Sequence, residues 1–74
     1  MKVQIGKNGL TDGVLEHIKN ACNTHEEITV NYLQSFTAAN NIDEATKTII
    51  AYLDPLHDVD AETRGNTATL HIED

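Results

Sequence analysis

Apolar and polar residues alternate from Lys2 to Ile5, with Val3 and Ile5 on one side and Lys2 and Gln4 on the other. A period of two predicts a short strand. From Thr11 the period changes, and Val14, Leu15, Ile18, Ala21 and Cys22 recur at helical spacing. Thr11 is a good N-cap, Leu10 can supply half of a hydrophobic staple, and Asp12 suits the positive end of a helix. This helix is expected to end near Asn23 or Thr24. Alternation returns from Glu27 to Leu33, with Ile28, Val30 and Tyr32 facing one way and Thr29, Asn31 and Leu33 the other. That predicts a second strand. The polar, small-residue segment Gln34 to Asn40 reads as a loop. Asn41 followed by Glu44 resembles a capping box, with Asn in place of the usual Ser or Thr. Ile42, Ala45, Ile49 and Leu53 then form the apolar stripe of a second helix, stopped by Pro55.

The last segment predicts a hairpin. Asp58 to Thr63 and Thr67 to Glu73 both alternate, with Gly65-Asn66 between them as a two-residue turn. Pairing Arg64 with Thr67 sets Thr63 against Ala68, Ala61 against Leu70 and Val59 against Ile72. Every apolar residue then shares one face, and Glu62–Thr69 and Asp60–His71 share the other. A slip of one residue destroys this agreement. The expected order is β-α-β-α-β-β: a two-layer α/β sandwich whose mixed four-stranded sheet carries two helices on one face. The first two strands are expected to run parallel through a right-handed crossover.

The chain has 74 residues, the size of one small domain. Such a domain has little room for a deep enzyme cleft, and a monomeric binding module is its more natural use. Cys22 is the single cysteine, so no internal disulfide framework exists, and on an apolar helix face it reads as a small core residue. No apolar run approaches the ~20 residues of a membrane span, and no secretory leader opens the chain. The expectation is a soluble cytoplasmic protein with no membrane partner. Twelve acidic residues against five basic ones give a formal net charge of −7. That balance opposes phosphate binding in ordinary salt.

Against that charge stands Gly6-Lys7-Asn8-Gly9, at the junction between the first strand and the first helix. Glycines there can adopt positive φ or admit a close backbone. The loop amides, with the free amides of the first helical turn, make an anion-binding concavity to which Lys7 adds a flexible charge. A phosphodiester fits it, and a GxxG loop is the clamp of KH domains. A plain tight turn explains the same four residues equally well. The spacing is not that of a P-loop or a dinucleotide fingerprint.

The blocks VQIGKNGLTDGVLEHIKNA near the start, HEEITVNYL in the middle and ETRGNTATLHI at the end resemble the CRM domain (chloroplast RNA splicing and ribosome maturation) in its free-standing YhbY-type form. The resemblance runs from Val3 to Ile72. It implies an α/β fold related to the C-terminal domain of bacterial translation initiation factor three. It also implies binding to structured RNA, as in large-subunit ribosomal RNA precursors or introns. By the motif match Gly6, Lys7, Asn8 and Gly9 would carry the contact, with Arg64 and Lys2 as secondary ones. The chain departs from the family pattern in three respects. No helix precedes the first strand. Thr29 and Asn31 stand where the second strand usually carries lysines. The charge is acidic rather than basic.

Other residues carry less. Arg64, the only arginine, can pair with a phosphate or stack on a base, and equally reads as a surface residue near Glu62. The four histidines, His17, His25, His57 and His71, show no metal-ligand spacing and read as surface residues, so no metal or other cofactor is expected. Asp58, Asp60, Glu62 and Glu73 form an acidic face that can bind a divalent cation or dock a basic protein, but reads as a solvated face, and it tells against RNA lying across the open sheet. No nucleophile sits in a catalytic setting, and the paired carboxylates lie on an open strand face, so neither catalysis nor a small-molecule substrate is expected. Concentrated salt reconciles acidity with RNA: at 1 M the Debye length is ~3 Å, repulsion fades, and hydrogen bonds from GKNG amides carry the binding. The competing expectation is a protein-interaction module that keeps the fold but has lost RNA binding.

Overall fold

The computed structural model describes residues 1–54 and 56–73. Its elements are β1 (Lys2–Ile5), α1 (Asp12–Ala21), β2 (Glu27–Tyr32), α2 (Gln34–Thr37), α3 (Ile42–Leu53), β3 (Val59–Arg64) and β4 (Thr67–Ile72). The four strands form one mixed sheet in the order β1-β2-β4-β3. β1 runs parallel to β2, and the other two neighbouring pairs are antiparallel. The predicted hairpin register holds at every position, from Val59 opposite Ile72 to Arg64 opposite Thr67. Gly65 has φ 59° while no other residue type has positive φ. A positive first and negative second central residue is the type II′ arrangement, which suits the twist of a two-residue hairpin.

Both long helices start as their sequences predict. The Thr11 hydroxyl accepts the Val14 amide at 3.2 Å. The Asn41 carboxamide oxygen accepts the amides of Asp43 at 2.8 Å and Glu44 at 3.2 Å. α1 ends at Ala21 with Cys22 as C-cap, and α3 ends at Leu53 with Asp54 as C-cap. Pro55, expected to stop α3, lies outside the described residues.

The core lies between the helices and one face of the sheet. Ile18, Ile28, Val30, Ile49, Leu53, Ala68 and Leu70 are wholly buried there. The opposite sheet face is open, and Lys2, Gln4, Asp60, Glu62 and Arg64 are exposed. One expectation is corrected: Gln34 to Asn40 is not all loop, because Gln34–Thr37 forms the helical turn α2. Phe36 drives it. The ring is buried and stacks on Tyr32, with ring centroids 5.3 Å apart, and this tertiary contact outweighs the weak local preference of a polar segment.

Candidate functional site

Gly6 to Gly9 forms one tight turn. The Gly9 amide donates to the Gly6 carbonyl at 2.9 Å, and the Thr11 amide to the Gly9 carbonyl at 3.2 Å. No non-glycine residue has positive φ, and Gly9 has φ 68°. Negative φ at both central residues marks the type I family of turns, in which glycine is favoured at the fourth position. The two glycines are needed for different reasons. At Gly9 the backbone itself is left-handed. At Gly6 a Cβ would lie 3.3 Å from Leu33 Cδ1 and 3.4 Å from Ser35 Oγ, so here close approach sets the requirement.

Lys7 and Asn8 occupy the exposed tip. Their backbone amides donate to no acceptor among the described residues. The cap at Thr11 leaves the amides of Asp12 and Gly13 at the mouth of α1. Between the loop and α1 runs a groove of about 470 Å³, lined by Gln4, Gly6, Lys7, Asn8, Gly9, Thr11 and Val14. None of these side chains is acidic. On the other side of the loop a second groove of about 400 Å³ runs toward α2 and α3, where Phe36, Asn40 and Glu44 join Lys7 and Asn8 in the lining. Sequence reasoning missed all three. Phe36, the only phenylalanine in the chain and three residues after Leu33, was the available signal.

The hairpin tip lies at the same end of the sheet as this loop. The Leu33 amide donates to the Ile5 carbonyl, and the Tyr32 amide to the Asn66 carbonyl, both at 2.8 Å. The end of β2 is therefore flanked by the start of GKNG on one side and by the Gly65-Asn66 turn on the other. Cross-strand registers place Gln4, Asn31, Thr67 and Arg64 in one row on the open face. This row carries no acid. Lys2 falls in the next row, with Thr29, Thr69 and Glu62, about 13 Å along the strand from Gly6 at 3.3 Å per residue. Gly6, Lys7, Asn8 and Gly9 thus stand together. Arg64 shares their end of the sheet but lies on β3, three strand spacings from β1, about 14 Å at ~4.8 Å each, which is about as far as Lys2 stands along the strand. Lys2, Lys7 and Arg64 form no ion pair among the described residues.

Behind the loop the support is buried. The Tyr32 hydroxyl and Thr46 Oγ1 share a hydrogen bond at 3.0 Å, tying the end of β2 to α3. Burial pushes the Tyr32 pKa up, with the Thr46 bond acting in the opposite sense. A second, exposed hydrogen bond joins the two long helices. Tyr52 donates to Glu16 at 2.8 Å. That bond, helped by Lys19, lowers the Glu16 pKa, and the same bond raises that of Tyr52.

At the opposite end of the sheet the open face is acidic. Glu27, His71 and Asp60 form one cross-strand row, with His71 Nδ1 3.7 Å from a Glu27 carboxylate oxygen. Among the described residues no group of three or more His, Cys, Asp or Glu side chains is placed to hold a metal ion. No helix is long and apolar enough to cross a membrane.

A family model for the CRS1 / YhbY (CRM) domain matches residues 1–70, which include the whole GKNG loop and the start of every element described above. No curated protein matches the chain.

Proposed function

The chain belongs to the CRS1 / YhbY (CRM) domain family, whose members bind RNA, and from that premise we propose that its GKNG loop clamps the RNA sugar–phosphate strand during ribosome assembly or RNA processing. The protein acts as a single-domain cytoplasmic monomer without catalysis, and a large-subunit ribosomal RNA precursor is the RNA that the family resemblance suggests. One observation carries this reading: the amides of Lys7 and Asn8, which have no acceptor among the described residues, belong to the exposed loop tip beside a groove whose lining has no acidic side chain. Backbone amides at a helix start are ready donors to phosphate oxygens. Arg64, on the far edge strand at the same end of the sheet, can meet the strand further along, and Lys2, about as distant along β1, contributes long-range charge.

The acidic total does not forbid this. Few cations meet the strand, so counterion release contributes little. Each phosphate neutralised adds a slope of about −0.7 for a single strand, and Lys7 with Arg64 would give about −1.4. At that slope a tenfold rise in salt lowers affinity about 25-fold, far less than for a protein that neutralises six or more phosphates.

The deciding experiment reverses the loop's charge. Lys7→Asp with Asn8→Asp should abolish binding of a ribosomal RNA fragment while the circular dichroism spectrum stays native. Shift mapping on the native chain should perturb Gly6 to Gly9. Unchanged affinity in the double variant would sink the clamp. The acidic row Glu27–His71–Asp60 supports a second reading, a docking face for a basic protein. Silence at the loop with RNA, together with shifts on that row when a basic protein is added, would establish it instead.

A further inference from the structure

The loop separates two grooves of opposite character. The α1 side has Lys7 and no acid. The α3 side has the same Lys7 together with Glu44. Glu44 is exposed, and its carboxylate has no partner among the described residues. A phosphate would be repelled from that side, so a strand held on the α1 side would have its uncharged parts nearest the α3 groove. The groove has room for a ring. Leu10 is half-buried at its wall, Phe36 and Ala45 back it from the core, and its volume of about 400 Å³ falls within the usual range of small-molecule sites, about 300–1,000 Å³.

The polar groups narrow the choice of base. Asn41 already spends its side-chain oxygen on the amides of Asp43 and Glu44, which fixes its orientation and leaves its NH₂ as a donor. Lys7 adds a donor, while the Asn8 carboxamide, the Asn40 oxygen (its NH₂ bonds the Phe36 carbonyl) and the Thr48 hydroxyl add neutral acceptors. Glu44 is the one charged acceptor of the lining, with two oxygens. The ring edge that best matches a carboxylate has two adjacent N–H donors. Guanine presents N1–H and N2–H₂ side by side, with O6 adjacent. Adenine and cytosine offer one amino group beside a bare ring nitrogen that a carboxylate repels. Uracil flanks its single N–H with carbonyls.

We propose that the groove between GKNG and the start of α3 holds an unpaired guanine, read by Glu44. The inference rests on the RNA reading above and adds a base preference to it. Single-stranded RNA is read in this way, by hydrogen bonds to splayed base edges.

The test compares two probes, a short oligouridylate and the same oligomer with one central guanosine. The native chain should bind the guanosine oligomer roughly tenfold or more tightly, the discrimination of one good bidentate pair. Glu44→Gln should erase that preference and leave oligouridylate affinity unchanged or slightly raised. Asp43→Asn removes a neighbouring charge that does not line the groove and should keep the preference, which separates base reading from general charge. Equal binding of both probes, with loop resonances shifting, would overturn the guanine site and leave the clamp standing. A preference that survives in Glu44→Gln would also overturn it. No binding of either probe, with Gly6 to Gly9 silent, would overturn both.

Discussion

The two ends of the sheet use the same strands to opposite effect. At the loop end the open-face row reads Gln4, Asn31, Thr67, Arg64; at the far end it reads Glu27, His71, Asp60. The rows are separated by four residue steps, from Thr67 to His71, about 14 Å at 3.4 Å per residue. That exceeds the Debye length of about 8 Å at physiological ionic strength. A phosphate at the loop end is thus largely screened from the far row before any extra salt is added. Net charge is an average over the molecule, while a bound strand responds to the charges within a Debye length of it. Within that distance of the loop end lie only some of the acids, Glu62 in the next row and Glu44 beside Lys7 among them, so the candidate site feels a part of the formal −7 and not the whole.

The ends also differ in how they are held. The far end rests on the strand ladder and on bonds such as the Ile72 amide to the Glu26 carbonyl at 2.8 Å. The loop end rests on α2, with Leu33 and Ser35 against Gly6 and the Phe36 ring 3.7 Å from where a Gly9 Cβ would stand. Phe36→Ala should therefore produce the largest effect of any single change argued here. Removing a buried phenyl costs about 3–5 kcal/mol. A chain of this size has only about 4–11 kcal/mol in all, at 0.05–0.15 per residue. Denaturant titration should show a loss of about 3–5 kcal/mol, from roughly a quarter of the stability to all of it. A loss below about 1 kcal/mol, the size of an ordinary surface change, would mean that α2 merely covers the loop without supporting it.

This support is the part of the fold that the sequence conceals. The hairpin is legible because two alternating runs and a Gly-Asn turn all demand one register, and any slip would expose Ala68 and Leu70. The long helices are legible from the caps Thr11 and Asn41 and from stripes such as Ala45, Ile49 and Leu53. α2 has four residues, too few to display a 3.6-residue period, and it exists because Phe36 finds the Tyr32 ring. The same limit applies to the site. GKNG is visible as a motif, but its partition into an acid-free side and a Glu44 side depends on where α3 begins in space. Arg64 looks like a lone surface cation until the register puts it beside Thr67, in the row that runs through Asn31 to Gln4 on the other edge strand. Lys2 looks close to the loop in sequence, yet strand geometry carries it away.

A smaller change isolates the loop's conformation from its support. Gly9→Ala adds a Cβ that meets only ordinary contact distances at Phe36, so its cost is the left-handed backbone alone, about 1–2 kcal/mol. If the loop relaxes to escape that strain, restoring the bound shape should weaken RNA binding by a factor of about 5–30. Gly6→Ala makes the opposite test, because its contact at 3.3 Å is with the flexible end of Leu33 and its backbone φ is not positive. It should cost less in affinity than Gly9→Ala. Titration of both variants with the same RNA fragment checks the order. Equal losses would mean that backbone handedness is not what shapes the clamp.

The smallest effect is expected at the far end. Glu27→Gln with Asp60→Asn removes two of the acidic groups that flank His71. The Glu27–His71 pair is exposed and 3.7 Å long, so its loss should change stability by no more than about 0.5 kcal/mol. If the two ends are electrically separate, RNA affinity at physiological salt should rise by less than about twofold, because the row lies beyond a Debye length from the loop. In dilute buffer, where the screening length grows to about 30 Å at 0.01 M, the same pair of changes should raise affinity more clearly. Measuring both variants and the native chain across that salt range separates distance from charge. A large gain at physiological salt would place RNA across the sheet itself, against the acidic row, and would move the interface away from GKNG.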